Sequence, residues 1–301
     1  VGSGCGPWSG TMQMFDRVLR SLPMDVKRPS NSMVLAWVAF FSFSFIVYYA
    51  LSDGDFSFIL TYSALWRCFA FFLLNFRMLT SNSASSVSLK TLEAYVVVFV
   101  FRLASLLRHE GYLPYDRSGD WFYHLVETTS LALVCGAIFL LYFRFRATYD
   151  EAKDAFGSLH IPPQYGVVYI IVPAMILAIF LRPNLNKDFF SDAAWTFSMY
   201  LESVAILPQL YMFTKQANTP VEVLVSHCVF ALGFARVMEM AFWLWSFHEL
   251  TGHATGRLVG YVVLLSQFFH VAFMGDFFYY YFQSIRWGTP MNVLPTHSGM
   301  V

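Results

Sequence analysis

Charge is what this sequence lacks. Asp, Glu, Lys and Arg make up 13% of its 301 residues, where a soluble domain carries about 25%. The 19 basic and 19 acidic residues cancel, so there is no electrostatic footprint for nucleic acid. Cysteine is equally sparse. Cys5, Cys68, Cys135 and Cys228 stand singly, three of them inside apolar runs, which supports neither a disulfide framework nor a zinc site. A nucleophile elbow, a phosphate loop, a helix of metal ligands and a dinucleotide fingerprint are all missing. No catalytic residue, metal or cofactor is expected, and catalysis has no positive support.

What fills the chain instead is apolar side chains, 57% of it, with 19% aromatic. They fall into eight runs, at residues 33–51, 56–76, 91–107, 121–143, 165–181, 193–213, 221–247 and 258–282, each long enough to cross about 30 Å of hydrocarbon. The first run is too long and too late for a cleaved signal peptide. Residues 1–31 mix Gly and Ser with basic side chains, and fit either a short interfacial helix or a basic tail. Lysine and arginine outside the runs favour the side of the chain termini by eleven to five, which predicts cytoplasmic ends. The sequence therefore predicts an all-α polytopic membrane protein with no separate soluble domain.

Against that apolar background a few polar residues stand out. The run WTFSMYLESVAILPQLYM carries Glu202 in its middle and Pro208-Gln209 near its end. Ionisable groups at membrane depth cost several kcal/mol, ~3 on insertion scales, so they face a partner or a polar cavity. Arg102 sits in VVVFVFRLASLL, without an acid close to it in its own span, and reads as an arginine awaiting an anion. Arg236 and Glu239 stand at i and i+3 on one span and fit an internal pair, as does Arg236 with Glu202. Arg67, Glu127 and Asp276 also fall inside runs. Arg67, Glu239 and Asp276 are candidates for a shared polar cavity. Trp243 lies two turns beyond Arg236 on a similar face. His109, His124, His248 and His253 fall near loops of the side opposite the termini, where solvated histidines are commoner than sensors.

Four ordered stretches, ATYDEAKDAF, WTFSMYLESVAILPQL, SHCVFALGFAR and GDFFYYYF, together with SVSLKTLE, resemble the ER lumen protein retaining receptor family. The likeness runs from about residue 60 to Arg286, and the extra first span and the LPTHSGMV ending resemble its longer, receptor-related branch. The resemblance implies two three-helix repeats plus a linker helix, of the PQ-loop and sugar-exporter type, with one additional N-terminal transmembrane helix. Its organisation would be a cytoplasmic segment 1–31, the added helix and lumenal turn 32–55, a seven-helix receptor-like domain 56–286 and a cytoplasmic tail 287–301. A polar site between parallel repeats lies near the midplane.

The resemblance further implies a receptor for Lys-Asp-Glu-Leu-like carboxyl-terminal signals in the ER and Golgi membranes. Such a receptor retrieves lumenal ER proteins with the help of coat-vesicle machinery. Arg102, Asp192 and Trp243 match ligand-binding positions, and Glu202 and Arg236 match an interhelical lock. Leu60, Ser105, Ala235 and Ser246 depart from the pattern where charged or phenolic groups are expected, Arg67 stands in place of a histidine, and the tail lacks a dilysine-type sequence. These departures weigh against the standard acidic tetrapeptide. Two other readings stay open here: a divergent member serving as a structural protein of the early secretory pathway, and a PQ-loop-like small-solute transporter.

Overall fold

A computed structural model describes residues 31–158, 162, 165–215, 221–250 and 256–287. The expectations for the segment before Asn31 and for the tail after Trp287 lie outside the described residues. Among those described, regular structure is entirely helical: α1 Asn31–Leu51, α2 Phe58–Ser81, α3 Leu89–Leu106, α4 Phe122–Phe139, α5 Val168–Phe180, α6 Phe189–Val204, α7 Leu207–Thr214, α8 Val223–Trp245, α9 Phe247–Leu250 and α10 Gly256–Trp287.

Among the described residues, five helices are long and apolar enough to cross a bilayer, those of α1, α2, α4 with its continuation to Arg144, α8 and α10. The other three predicted runs differ for identifiable reasons. α3 spans 18 residues but holds Lys90, Glu93 and Arg102, which dilute its hydropathy. α5 spans 13 residues, only about 20 Å at 1.5 Å per residue. The predicted span 193–213 is two helices, broken at Ala205 and Ile206, because Pro208 has no N–H to continue the ladder.

The helices pair in a pattern that repeats. α4 packs on both α2 and α3, and α10 packs on both α6 and α8. Between the two groups, α2 lies along α8 and α3 along α6. Exchanging the groups exchanges these two contacts, the signature of two three-helix repeats about a common axis. α5 rests on α6, and α1 rests on α2, so the added helix takes the place in the first half that the linker takes in the second. α1 docks through Trp37 and Phe40, whose rings meet Phe69 at 5.0 and 4.3 Å. Its remaining face is apolar and exposed, including Leu35, Phe45 and Tyr49, as a lipid-facing surface should be. In the second half, Gly233 lets α8 approach α10: a Cβ there would stand 2.5 Å from Met274 Cε and 2.7 Å from Phe278 Cζ.

Candidate functional site: an ion-paired core between the repeats

Each repeat brings charge to the axis. α2 contributes Arg67, α3 Arg102, α4 Glu127, α6 Glu202, and α8 both Arg236 and Glu239. All six are buried, with Glu127 and Arg236 at 0% exposure. Glu202 is the hub. Its Oε1 accepts from Arg67 Nη1 at 2.8 Å, and its Oε2 faces Arg236 Nη1 at 3.1 Å and is bonded by Arg102 Nη2. Glu127 takes Arg67 Nη2, with Arg102 Nη1 3.8 Å away. Glu239 accepts from Arg236 Nη1 at 2.7 Å, and Arg67 Nη1 lies at 3.7 Å. Arg236 Nη2 also reaches the Met199 carbonyl at 3.1 Å. Three arginines thus neutralise three glutamates across five helices. Without mutual pairing, each charge would carry a desolvation cost of several kcal/mol.

The interhelical pair of Glu202 with Arg236 is present, but it is one branch of a larger network. Arg102, expected to stand unpaired, is held by Glu202, because a carboxylate from another repeat reaches it where its own span offers none. Asp276 is not brought into the cavity. The buried stripe of α10 is Val263, Gln267, His270, Met274, Phe277 and Tyr281, recurring every three or four residues. Asp276 falls off that stripe and is exposed.

Asp192 and Trp243 lie away from the core, toward the face opposite the basic-rich helix ends. Tyr112 donates its hydroxyl to Asp192 Oδ1 at 2.5 Å, and the Asn186 N–H reaches the same oxygen at 3.3 Å. The Tyr112 ring stacks on Trp195 at 5.4 Å, and Trp195 meets Trp243 edge-on at 5.2 Å. Burial, reinforced by the bond to Asp192, pushes the Tyr112 hydroxyl well above the ordinary phenol range, so it stays a donor. Asp188 caps α6 at this same face. Its carboxylate is pulled down to about 2, first by the Ser191 hydroxyl and then by His109.

At the basic-rich face a second polar set ties loops to helix ends. Asp154 accepts from the Ser88 hydroxyl at 2.8 Å, the Leu89 N–H at 2.9 Å and the Tyr149 hydroxyl at 2.7 Å, and its carbonyl takes Lys90 Nζ. Gln209 accepts from the Ser88 N–H and donates to the Ser86 carbonyl, both at 2.8 Å. Three stretches that look distinctive in the sequence, SVSLKTLE, ATYDEAKDAF and LPQL, therefore meet in one clamp on the α2–α3 turn. Asp154, Tyr112 and His270 escaped the sequence reading. For His270 a signal existed, namely Gln267 and His270 at i and i+3 in an otherwise apolar run.

These features define a polytopic helical membrane protein whose two halves close on a neutral, buried ionic core. The chain belongs to the ER lumen protein retaining receptor family, whose model matches residues 83–246. It is 31% identical over 226 residues to ER lumen protein-retaining receptor 3 of Danio rerio, covering 75% of this chain and 92% of that one. ER lumen protein-retaining receptor erd-2.1 of Caenorhabditis elegans is 27% identical over 213 residues, 70% of this chain and 86% of its own length. The matched family stretch contains five of the six core charges; Arg67 lies before it.

Proposed function

We propose that this protein is a receptor that retains lumenal ER proteins by binding their carboxyl termini, with the basic-rich face cytoplasmic and the face of Asp192 and Trp243 lumenal. The names of its relatives support the class of function. One observation supports the ligand: a buried arginine, Arg102, on the axis with an aromatic and acidic shelf displaced toward one face. Asp192 and Glu202 are ten residues apart on α6, a rise of about 15 Å, while four extended residues reach about 14 Å. A peptide carboxylate on Arg102 would therefore put the first of four side chains beside Asp192, Trp195 and Trp243.

A fork of donors is what a terminal carboxylate requires. To enter, the carboxylate competes with Glu202 and Glu127 for Arg102. The cost of displacing them is offset because those glutamates keep Arg67 and Arg236. Retrieval of the loaded receptor from the Golgi in coated vesicles belongs to the same reading, with the coat on the cytoplasmic side.

The test is binding of free-acid and amidated versions of a panel of carboxyl-terminal tetrapeptides to the purified protein between about pH 5 and 7, the range in which histidines titrate. Saturable binding of free acids only, weakened at least tenfold in Arg102→Ala, is the expected result. Absence of binding across the panel, or equal binding of the amides, would sink the proposal.

A further inference from the structure

We propose that His270 is the positioning residue that aims Glu202 into the ionic core. α6 ends at Val204, and the Ala205 N–H turns back to the Glu202 carbonyl at 3.4 Å instead of continuing the α-helical ladder. α7 then starts at Leu207, with Pro208 in its first turn and the first full-length bond from Leu210 N to Ile206 O at 3.1 Å. Such a break frees backbone carbonyls inside the bundle, and a freed carbonyl at membrane depth needs a donor. For Ser203 the donor is His270 Nδ1, 2.8 Å from its oxygen. His270 is 0% exposed and comes from α10, so the joint in α6 is fastened to the last helix of the same repeat.

Ser203 directly follows Glu202, the one side chain that touches all three core arginines. The orientation of that hub is therefore set by how the next peptide unit is held. A carbonyl only accepts, so the neutral ring carries its proton on Nδ1 and leaves Nε2 without one. Nε2 is buried and has no hydrogen-bond partner, and Arg236 and Glu202 are the charged groups that act on the ring. Its hydrogen bonding goes to the backbone of the joint, at Ser203 and Glu202, and the charges around it belong to the core it positions.

The first readout is ¹⁵N NMR of the full chain labelled at its eight histidines, assigned by the signal lost in His270→Gln. The proton on Nδ1 is expected; a signal with the proton on Nε2 overturns the assignment. The second is a thermal-unfolding cycle in detergent. His270→Ala should lower the midpoint by several degrees in the native background, yet shift it by less than about 2 °C when added to Glu202→Gln. His270→Gln, with a side-chain N–H for the same carbonyl, should stay within about 2 °C of the unaltered protein. Additive losses, or no rescue by glutamine, overturn the proposal, and the tautomer decides should His270→Ala fail to fold. With a fluorescent peptide ending in Lys-Asp-Glu-Leu, His270→Ala should weaken binding about tenfold and His270→Gln less than threefold, roughly 1.4 and under 0.7 kcal/mol. This last arm alone rests on the receptor reading. If the unaltered chain does not bind the peptide, the Lys-Asp-Glu-Leu signal is excluded as its ligand, while the tautomer and the cycle still judge His270.

Discussion

The core and the clamp are both polar, buried and contributed by distant segments, but they are bonded in opposite ways. In the core, side chains meet side chains: three guanidinium groups share three carboxylates, and each arginine reaches more than one acid. In the clamp, besides the Ser88 and Tyr149 hydroxyls on Asp154, side chains meet backbone: Asp154 and Gln209 hold particular N–H and C=O groups around the α2–α3 turn. A backbone group can move only with its chain, so the clamp fixes one geometry. Shared ion pairs can trade partners without moving a helix. The molecule thus has a rigid end near the basic face and an exchangeable set of charges at its middle, the arrangement needed where an incoming carboxylate must displace a resident one.

The largest effect should come from breaking the hub. Glu202→Gln leaves three buried arginines with two carboxylates, and removing one member of a buried ion-pair network costs about 3–5 kcal/mol. The thermal midpoint and the yield of folded protein in detergent measure it. A loss no greater than that of a surface substitution would mean that Glu127 and Glu239 re-pair with all three arginines, and the hub description would fail.

How much of this was legible beforehand differs between the two regions for the same reason. All six core charges stand in apolar runs, where any ionisable group is conspicuous, so Arg67, Arg102, Glu127, Glu202, Arg236 and Glu239 were identifiable as a set. The pairs of Arg236 with Glu239 and Glu202 were legible too, but the partners of Arg67 and Arg102 were not, because contacts such as that between Arg102 and Glu202 join residues 100 positions apart. Asp276 stands in an apolar run yet outside the cavity, because such a run shows depth but not which side of the helix faces inward. The stripe through Gln267 and His270 carries that information, and it excludes Asp276. The stretches that form the clamp are distinctive in the sequence, but their meeting was hidden. Asp154 lies in a loop where acids are ordinary, and bonds to backbone leave no trace in composition. Pro208 did announce a break, but the helix ends at Val204, four residues earlier, since the carbonyls before a proline lose their donors.

The clamp should yield the second-largest effect. Asp154→Ala removes the acceptor of the Ser88 hydroxyl and the Leu89 N–H at the start of α3. The N-cap, Ser88, stays in place, and the buried Leu89 N–H left without its partner costs about 1–3 kcal/mol. Asp154→Asn keeps an acceptor and should recover part of the loss. Hydrogen exchange of the Leu89 and Lys90 amides separates this from a general loosening: protection should fall there before it falls in α8. Equal losses in both places would remove the distinction between a locally fixed clamp and a shared core.

The smallest effect belongs to the half-buried pair of His109 and Asp188 at the opposite face, and it should be visible through pH and salt. The Asp188 carboxyl is held down to about 2 in the folded protein by the Ser191 hydroxyl and His109, against about 3.9 in an unfolded chain. A depressed acid stabilises the fold above its unfolded value and loses that contribution as pH falls through its folded one. The contribution should therefore be complete above roughly pH 4 and disappear toward pH 2. In Asp188→Asn, the gap in unfolding midpoint from the native chain should close across that window. Because both partners are about a third exposed, solvent screens them, and the gap should also shrink in high salt, whereas the deficit of Glu202→Gln should not. A gap that stays constant down to pH 2 would show that Asp188 acts through its shape as a helix cap and not through its charge.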